Sequence, residues 1–280
     1  MIFRARQIEF RFPRPTLIMG IVNVTPDSFS DGGKFFNPEA AVEHALEMAA
    51  QGAEMLDIGG ESTRPGAQPV TEAEELRRVL PVIEKLAAKT STAISVDTMK
   101  PAVARAALAA GASVVNDVRG LYSDHDMWQV VAEFKAGYVV MHGQGVPGTL
   151  PTPAYTNVVH EVDDYFSNRL AALLDEGIPA EHVILDPGIG FSKTLGDNLQ
   201  LLAGLRSFTK WRRPLLLGVS RKSFIEKLTG AELNERLPAS LACTTLAIES
   251  GVNIIRAHDV AETVQAARMT EAILQKSNVD

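Results

Sequence analysis

The sequence predicts an α/β fold, a single-domain (β/α)8 or TIM barrel, on three observations. Short apolar runs recur along the 280 residues, and almost every one of them leads into a polar residue. Such runs are typical of buried parallel strands, whose carboxyl ends meet at one rim of a barrel. The segments between them have the apolar spacing of helices. The length suits one barrel, since about 250 residues are typical of this fold.

The apolar runs predict eight strands, and the residues that end them predict the rim. The runs lie at residues 17–22, 55–58, 93–96, 113–115, 138–141, 183–185, 215–219 and 254–255. Because chemistry in a (β/α)8 barrel takes place at this rim, we expect the polar residues that follow to line one site. These residues include Asn23, Asp97, Asn116, Asp117, His142, Asp186, Ser220, Arg221, Lys222, Arg256 and His258.

Helix signals separate the strands. Asn37 and Pro38 predict the start of the first helix, and Gly52 predicts its end. Thr71 predicts the start of the next helix, and Pro81 inside it predicts a kink or a division there. This unit of helix, glycine, strand and polar residue repeats about every 35 residues, which suits a barrel.

The chain has no composition break that would mark a second domain. We expect an N-terminal cap or hairpin at the bottom of the barrel over residues 1–15, the barrel over 16–275 and a tail over 276–280. The alternative is an open doubly wound sheet, which predicts a glycine-rich nucleotide turn after the first strand. Residues 23–33 are too long and too polar for such a turn.

Composition limits the partners and the compartment. The formal net charge of -7 argues against nonspecific nucleic-acid binding. The single cysteine, Cys243, fits a reducing compartment. The N-terminus lacks a secretory apolar region, and the first apolar run is too short to cross a bilayer. The sequence therefore predicts a cytoplasmic protein with neither a nucleic-acid nor a membrane partner.

Several motifs lie at or near the predicted strand ends. They occupy residues 19–33 (MGIVNVTPDSFSDGG), 57–66 (DIGGESTRPG), 95–98 (SVDT), 115–117 (VND), 186–191 (DPGIGF), 220–223 (SRKS) and 256–259 (RAHD). In this order they resemble the dihydropteroate synthase family of pterin-binding enzymes. One such motif alone would be weak evidence for this family, but the set spans nearly the whole chain.

The resemblance implies a transferase of folate biosynthesis, in a family that sulfonamides target. That family joins 6-hydroxymethyl-7,8-dihydropterin diphosphate to 4-aminobenzoate and releases 7,8-dihydropteroate and pyrophosphate. The resemblance also implies a (β/α)8 barrel, Mg²⁺ as the cofactor and a homodimer that forms through helices late in the barrel.

The chemistry of a pterin suits the acidic and amide residues of the rim. A pterin has an edge with adjacent N–H donors, and an ionised carboxylate can accept two of them. Asp186 is the candidate for that role, Asn116 can donate and accept, and Asp97 can accept elsewhere on the ring. A turn or capping role is the alternative for each. The resemblance assigns these three to a pterin pocket, with Met141, Phe191, Gly218 and Lys222; a plain core role stays open for Met141 and Phe191.

The basic residues suit a diphosphate, because the planar guanidinium of arginine matches phosphate oxygens. A single arginine is more often part of a surface ion pair, so the prediction of a diphosphate site depends on several basic residues at the strand ends. The resemblance places the diphosphate against Arg64, Arg256 and His258, with Thr63 donating from the same loop. Asn23 resembles the residue that binds Mg²⁺ beside the diphosphate, and a strand terminator is its alternative role.

The reaction needs stabilised charge rather than a protein nucleophile. Mg²⁺ and the cations would stabilise the leaving group, and carboxylates would favour a pterin cation, so we expect a dissociative substitution. The residues predicted to be catalytic are Asp31, which resembles the acidic residue that faces the cation, with Lys222, Arg256 and His258. The resemblance assigns the aminobenzoate slot to Phe29, Pro65, Phe191, Lys222 and Ser223.

Two other functions share parts of this pattern. A methyltransferase domain that holds a methylated pterin for a corrinoid protein would use the same barrel and the same carboxylate and amide contacts. It has no use for a set of cations that converges on a diphosphate. A pterin-binding relative without activity would keep the fold, and a complete set of rim residues argues against it.

Overall fold

A computed structural model of the chain describes residues 1–25, 37–62, 68–120, 124–143 and 154–277. Within these ranges, eight parallel strands follow an N-terminal hairpin and form one sheet. In chain order the strands are β1 (Ile2–Ala5) and β2 (Ile8–Arg11) of the hairpin, then β3 (Leu17–Asn23), β4 (Met55–Gly59), β5 (Ala93–Asp97), β6 (Val114–Asp117), β7 (Gly137–Met141), β8 (Val183–Asp186), β9 (Leu216–Gly218) and β10 (Ile254–Ala257).

The sheet closes on itself. Its strand order is β8-β7-β6-β5-β4-β3-β10-β9, so β8 and β9 are the two ends. A bridge between Leu185 and Leu215 joins these ends, and the Leu185 N–H donates to the Pro214 carbonyl at 2.9 Å. The predicted single-domain (β/α)8 barrel is therefore confirmed.

Helices cover the outside of the barrel. They are α1 (Pro38–Ala50), α2 (Glu72–Lys89), α3 (Pro101–Ala109), α4 (His125–Phe134), α5 (Val158–Asp175), α6 (Leu195–Gly204), α7 (Ser223–Thr229), α8 (Leu237–Glu249) and α9 (Val260–Ser277). The first begins as the sequence predicts, because the Asn37 side chain accepts hydrogen bonds from the N–H groups of Glu39 and Ala40. Gly52 follows its end with a φ of +107°, a conformation that favours glycine.

Pro81 lies inside α2 and does not divide it. The helix runs unbroken for 18 residues, although proline removes one backbone donor. Its buried residues lie on both sides of the proline, with Val79 before it and Val82, Ile83 and Leu86 after it. This continuous packing on the barrel holds the two halves together, so of the two predicted outcomes the division is wrong, and the kink stays a prediction.

Successive strand residues face opposite sides of the barrel wall, as the pleat of a strand requires. Ile18 and Val22 belong to the apolar cluster that includes the helices. Leu17 and Met19 belong to a separate cluster with one residue near the start of every other barrel strand. That second cluster fills the bottom of the barrel interior. The interior positions near the rim are consequently left for other side chains.

The N-terminal hairpin closes the bottom of the barrel. The rings of Phe3 and Phe10 stack with centroids 6.3 Å apart, and Phe12 joins them in the interior cluster. Gly137 begins β7 directly against this hairpin, since a Cβ there would lie 2.5 Å from the Phe3 ring. The hairpin thus lies at the end of the barrel opposite the polar strand ends.

Helix α9 continues two residues beyond position 275, to Ser277. The boundaries drawn from the sequence between residues 15 and 16 and between 275 and 276 stay predictions. Across the described part of the chain, no helix is both long and apolar enough to cross a membrane.

Candidate functional site

The alternation of the strands turns a set of polar side chains toward the barrel interior at the rim. Each of these residues follows an interior cluster residue of its own strand by two or four positions, so its side chain points to the same side of the barrel wall. They are Asn23, Asp57, Asp97, Asn116, Asp186 and Arg256, with Met141 and Gly218 at the equivalent positions of their strands.

The guanidinium of Arg256 lies between two carboxylates. Its Nε donates to Asp57 Oδ2 at 2.6 Å, and one Nη donates to Asp97 Oδ2 at 2.7 Å. Asn116 Nδ2 donates to the same Asp57 oxygen at 2.9 Å. Asp57 is fully buried. These bonds join β4, β5, β6 and β10, and they fix the acidic side of the site.

Burial changes the protonation behaviour of this acidic side. It raises the pKa of Asp97 from 3.8 to about 7. The positive charge of Arg256 opposes this rise, and the negative charges of Asp57 and Glu75 add to it. Asp97 therefore changes charge near neutral pH, which is frequent for groups at functional sites.

Asp186 and Lys222 form the opposite side of the site. Asp186 is buried and its Oδ1 accepts from the Gly188 N–H at 2.7 Å. Lys222 Nζ donates to the Ile189 carbonyl and lies 4.4 Å from the centroid of the Phe191 ring. Burial raises the pKa of Asp186 and lowers the pKa of Lys222 to about 8. Each charge counteracts the effect of burial on the pKa of the other, so the two are close enough to interact electrostatically.

Arg256 connects the two sides. Its charge lowers the pKa of Asp186 and of Lys222 as well as that of Asp97. Gly218 lies between the cations, since a Cβ there would be 3.9 Å from both Arg256 Cβ and Lys222 Nζ. The structure thus brings five of the predicted residues close together around one bowl, namely Asp97, Asn116, Asp186, Lys222 and Arg256.

Met141 and Phe191 lie next to this bowl. Met141 is aligned with Asp186 in the pairing of β7 and β8, and its side chain is buried. Its Cε and the Phe191 Cβ both lie within 4.0 Å of the position of a Cβ on Gly143. Both residues therefore lie near Gly143, and their roles toward a ligand stay predictions.

His258 follows β10 and contacts the end of β9. Its Nδ1 lies 2.9 Å from Ser220 Oγ, and its backbone N–H donates to the same oxygen at 3.2 Å. Arg221 instead pairs with Asp259, which accepts from its Nε at 3.1 Å. Ser223 is exposed at the start of α7. His258 and Ser223 are therefore near the rim, whereas Arg221 is engaged with Asp259.

Two residues expected at the rim face away from it. His142 packs edge-on against Tyr165 of α5, with ring centroids 5.0 Å apart. Asp117 accepts from Tyr138 Oη at 2.7 Å and from the Arg119 N–H at 2.9 Å. Both occupy the outward parity of their strands, so their expected place among the residues lining the site is wrong.

The remaining predicted residues concern the two loops and the metal. Phe29, Asp31, Thr63, Arg64 and Pro65 lie outside the described residues. Asn23 is half-buried at the end of β3, opposite Gly59 in the sheet. Within the described ranges, no group of three or more His, Cys, Asp or Glu residues could hold a metal ion.

Two further residues belong to this region, although no role was predicted for them. Asp57 accepts hydrogen bonds from Arg256 and Asn116. The sequence feature that could have indicated this role is a charged residue inside an apolar strand run. Lys193 is buried beside the turn that follows β8, where its Nζ donates to three backbone carbonyls. No sequence signal distinguishes Lys193 from a surface lysine.

Comparison with known proteins agrees with this site. Residues 19–258 match the family model described as "Pterin binding enzyme". Dihydropteroate synthase of Escherichia coli (strain K12) is 48% identical over 258 residues, which cover 92% of this chain and 91% of that protein. The fold and the site thus define a pterin-binding barrel enzyme.

Solved structures identify the family within this class more closely. Yersinia pestis dihydropteroate synthase in a sulfonamide drug complex superimposes with a TM-score of 0.91 at 42% identity, covering 98% of this chain and 100% of that one. The Xanthomonas albilineans enzyme with 4-aminobenzoic acid gives a TM-score of 0.90 at 46% identity, covering 98% of each chain. The chain belongs to the dihydropteroate synthase family of pterin-binding enzymes, which are transferases.

Proposed function

We propose that this chain condenses 6-hydroxymethyl-7,8-dihydropterin diphosphate with 4-aminobenzoate and releases 7,8-dihydropteroate and pyrophosphate. The C–O bond of the pterin methylene breaks, and its electron pair leaves with pyrophosphate. The amine nitrogen then forms the new C–N bond and loses a proton to solvent. The observation that carries this proposal is the bowl in which buried carboxylates and an amide face a lysine and an arginine.

The pterin is held by the acidic side and the floor of the bowl. Asp186 accepts from adjacent pterin N–H groups, because only its Oδ1 is engaged by the Gly188 N–H among the described contacts. Asn116 donates to and accepts from neighbouring ring atoms, and Asp97 accepts from ring N–H groups elsewhere on the pterin. Lys222 donates to the ring from the opposite side. The ring packs beside Met141, Phe191 and Gly218.

The diphosphate lies toward the end of β10. Arg256 and His258 supply positive charge or donors there, together with Thr63 and Arg64 from the second loop. Two nitrogens of Arg256 are already bound by carboxylates, so its orientation is set before any ligand binds. Such preorganisation is the usual source of electrostatic stabilisation in enzymes.

Mg²⁺ fits the donor at the end of β3. Asn23 offers a neutral side-chain oxygen, and magnesium prefers oxygen ligands while keeping waters and sharing phosphate oxygens. A site with few protein ligands is therefore suitable for an ion that arrives with a diphosphate. When bound, the ion neutralises charge on the leaving phosphates.

The buried carboxylates favour a dissociative path. Positive charge develops on the pterin methylene as the C–O bond lengthens, and negative side chains act strongly where water is scarce. Asp57 and Asp186, together with Asp97 in its ionised form, supply that field from fixed positions. Asp31, in the first loop, is proposed to face the same cation.

The aminobenzoate binds last, beside Phe191, Lys222 and Ser223, with Phe29 and Pro65 from the loops. Ser223 lies near the carboxylate of this substrate. A slot that shares Lys222 and Phe191 with the pterin pocket supports ordered binding. Equilibrium titration of 4-aminobenzoate tests this order: we expect tight binding only when pyrophosphate and a pterin are present, and tight binding to the bare protein would contradict it.

A homodimer is proposed through α8 and α9, which pack on each other. Leu246 on α8 and Met269 and Ile273 on α9 are large apolar side chains that are exposed by about 60%. Sedimentation of the wild type and of a Leu246→Glu, Met269→Glu variant tests it. The cytoplasmic location stays a prediction.

A coupled pyrophosphate-release assay tests the reaction. We expect release that requires both substrates and Mg²⁺ and yields 7,8-dihydropteroate in equal amount. A methyltransferase domain or an inactive relative would bind the pterin without forming this product. Absence of product from folded, pterin-bound protein would overturn the proposal.

A further inference from the structure

We propose that Lys193 is a positioning residue for the aminobenzoate slot: its ammonium holds the turn over residues 188–191, and that turn fixes Phe191 against Lys222. The inference rests on the proposed function, because that function makes Phe191 and Lys222 part of the slot. Lys193 itself contacts no substrate and acts through the turn.

The ammonium of Lys193 is bound entirely by backbone oxygens. Its Nζ donates to the carbonyls of His142 at 3.1 Å, Gly188 at 2.9 Å and Phe191 at 3.0 Å. An ammonium has three N–H donors, so this set uses all of them. The side chain is 7% exposed, and among the described residues no carboxylate forms an ion pair with it.

A lysine in such a place is costly to keep. Burial lowers its pKa from 10.5 to about 7, and the neighbouring Lys222 lowers it further, while Asp186 opposes the change. A buried cation is weak evidence for stability, because its desolvation offsets most of what its hydrogen bonds provide. The bonds instead specify one arrangement of the three carbonyls, and this arrangement is what the residue contributes.

The three carbonyls belong to two neighbouring strand ends. His142 follows β7, whereas Gly188 and Phe191 belong to the turn after β8. The turn lies close against the end of β7, since a Cβ on Gly188 would fall 2.0 Å from the His142 carbonyl oxygen. Gly188 has a φ of +69°, so this approach requires glycine. Lys193 therefore connects two segments that already touch.

The opposite side of the turn contacts the candidate site. Its Gly188 N–H donates to Asp186, its Ile189 carbonyl accepts from Lys222, and its Phe191 ring lies 4.4 Å from Lys222 Nζ. The same turn is thus bound by two ammonium groups, that of Lys193 and that of Lys222. Loss of the first would release the Phe191 carbonyl and let its ring move relative to the second.

Asp186 depends less on Lys193, because β8 holds its backbone in the sheet. The pterin contact should therefore survive when the slot beside Phe191 loosens. Lys193→Met keeps the length of the side chain and removes the charge. We expect its KM for 4-aminobenzoate to rise about 10-fold, the scale of a lost charge-assisted hydrogen bond. The pterin Kd should rise less, because the pterin keeps its contact with Asp186 while it shares only Phe191 and Lys222 with the slot.

Arg6→Met is the matched control. Arg6 is an exposed cation that also binds backbone, since one of its Nη atoms donates to the carbonyls of Leu108 and Ala112, both at 2.7 Å. It lies in the turn of the hairpin, at the bottom of the barrel. We expect it to lower the melting temperature without changing either KM. A merely structural role for Lys193 would give the same pattern, with a smaller active fraction and an unchanged KM.

Hydrogen exchange provides a readout that does not need activity. The Phe191 N–H donates to the Gly188 carbonyl at 3.1 Å, so we expect the amides of residues 188–191 to exchange faster in Lys193→Met and not in Arg6→Met. Unchanged exchange in this turn together with an unchanged KM would overturn the inference. If the wild type forms no product, the proposed function fails and the exchange result decides the positioning role alone.

A second variant covers the case in which Lys193→Met does not fold. Lys193→Gln keeps two amide donors without the charge, so we expect a smaller rise in the KM for 4-aminobenzoate and an intermediate exchange rate. Equal values for Lys193→Gln and wild type in both measurements would also contradict the proposal.

Discussion

Asp186→Asn provides the sharpest test of the pterin pocket. In the wild type, Asp186 Oδ1 accepts from the Gly188 N–H at 2.7 Å. An asparagine would keep its carbonyl oxygen on that N–H and so turn its NH₂ group into the pocket. There it would meet the N–H donors of the pterin, and two donors cannot pair.

The magnitude follows from this conflict. A charge-assisted hydrogen bond is lost and a polar group is left badly paired, which together cost about 2 kcal/mol. This corresponds to a rise of about 30-fold in the pterin Kd. The negative charge of Asp186 also raises the pKa of Lys222, so its removal should shift the alkaline loss of activity to lower pH.

Isothermal titration with a non-reactive pterin measures the change, and Asp117→Asn is the matched control. Asp117 is another buried carboxylate at a strand end, and burial raises its pKa as well. It faces outward, where its partners are Tyr138 and Arg119. We expect Asp117→Asn to lower stability and leave the pterin Kd within about threefold of wild type. A folded Asp186→Asn protein with wild-type affinity, or equal losses in both variants, would refute the reasoning.

Three further predictions concern the acidic side and the lysine. Asp57→Asn should raise the KM for the pterin diphosphate by about 10-fold or more, because Arg256 and Asn116 both lose a charged acceptor; steady-state kinetics measures it. The kcat/KM of the wild type should fall as pH rises above about 8, where Lys222 loses its proton, and Lys222→Met should lack this limb. Asp97 has a pKa raised to about 7, so its ionisation destabilises the folded state as pH rises from about 4 to about 7. Urea unfolding should therefore show that the stability of Asp97→Asn relative to wild type is higher at pH 8 than at pH 4, and a constant difference would contradict this sign.

The strand pattern was predictable because a buried parallel strand leaves a continuous apolar run. The run over 93–96 and Asp97 after it correspond closely to β5. The same parity that places Met55 inside the barrel also places Asp57 inside, so its role could have been found by counting alternate residues. Pro81 shows the limit of local signals, since packing on both sides of it outweighs one lost hydrogen bond.

The pairing within the site was not predictable from one sequence. The sequence predicts a diphosphate contact for Arg256, and nothing in its sequence neighbours indicates that two carboxylates from β4 and β5 hold it. Such contacts depend on the stagger of strands that lie far apart in the chain. The contacts of Lys193 are not predictable for a related reason, since its acceptors are backbone oxygens that carry no sequence identity.

The aromatic hairpin under the barrel closes its lower end. Phe3 and Phe10 occupy the floor, and Leu17 and Met19 lie above them, so the described residues leave no passage there. Substrates and products would therefore share the rim as their route. Pyrophosphate would leave past the place where the second substrate arrives, so its release and the arrival of 4-aminobenzoate compete for the same space.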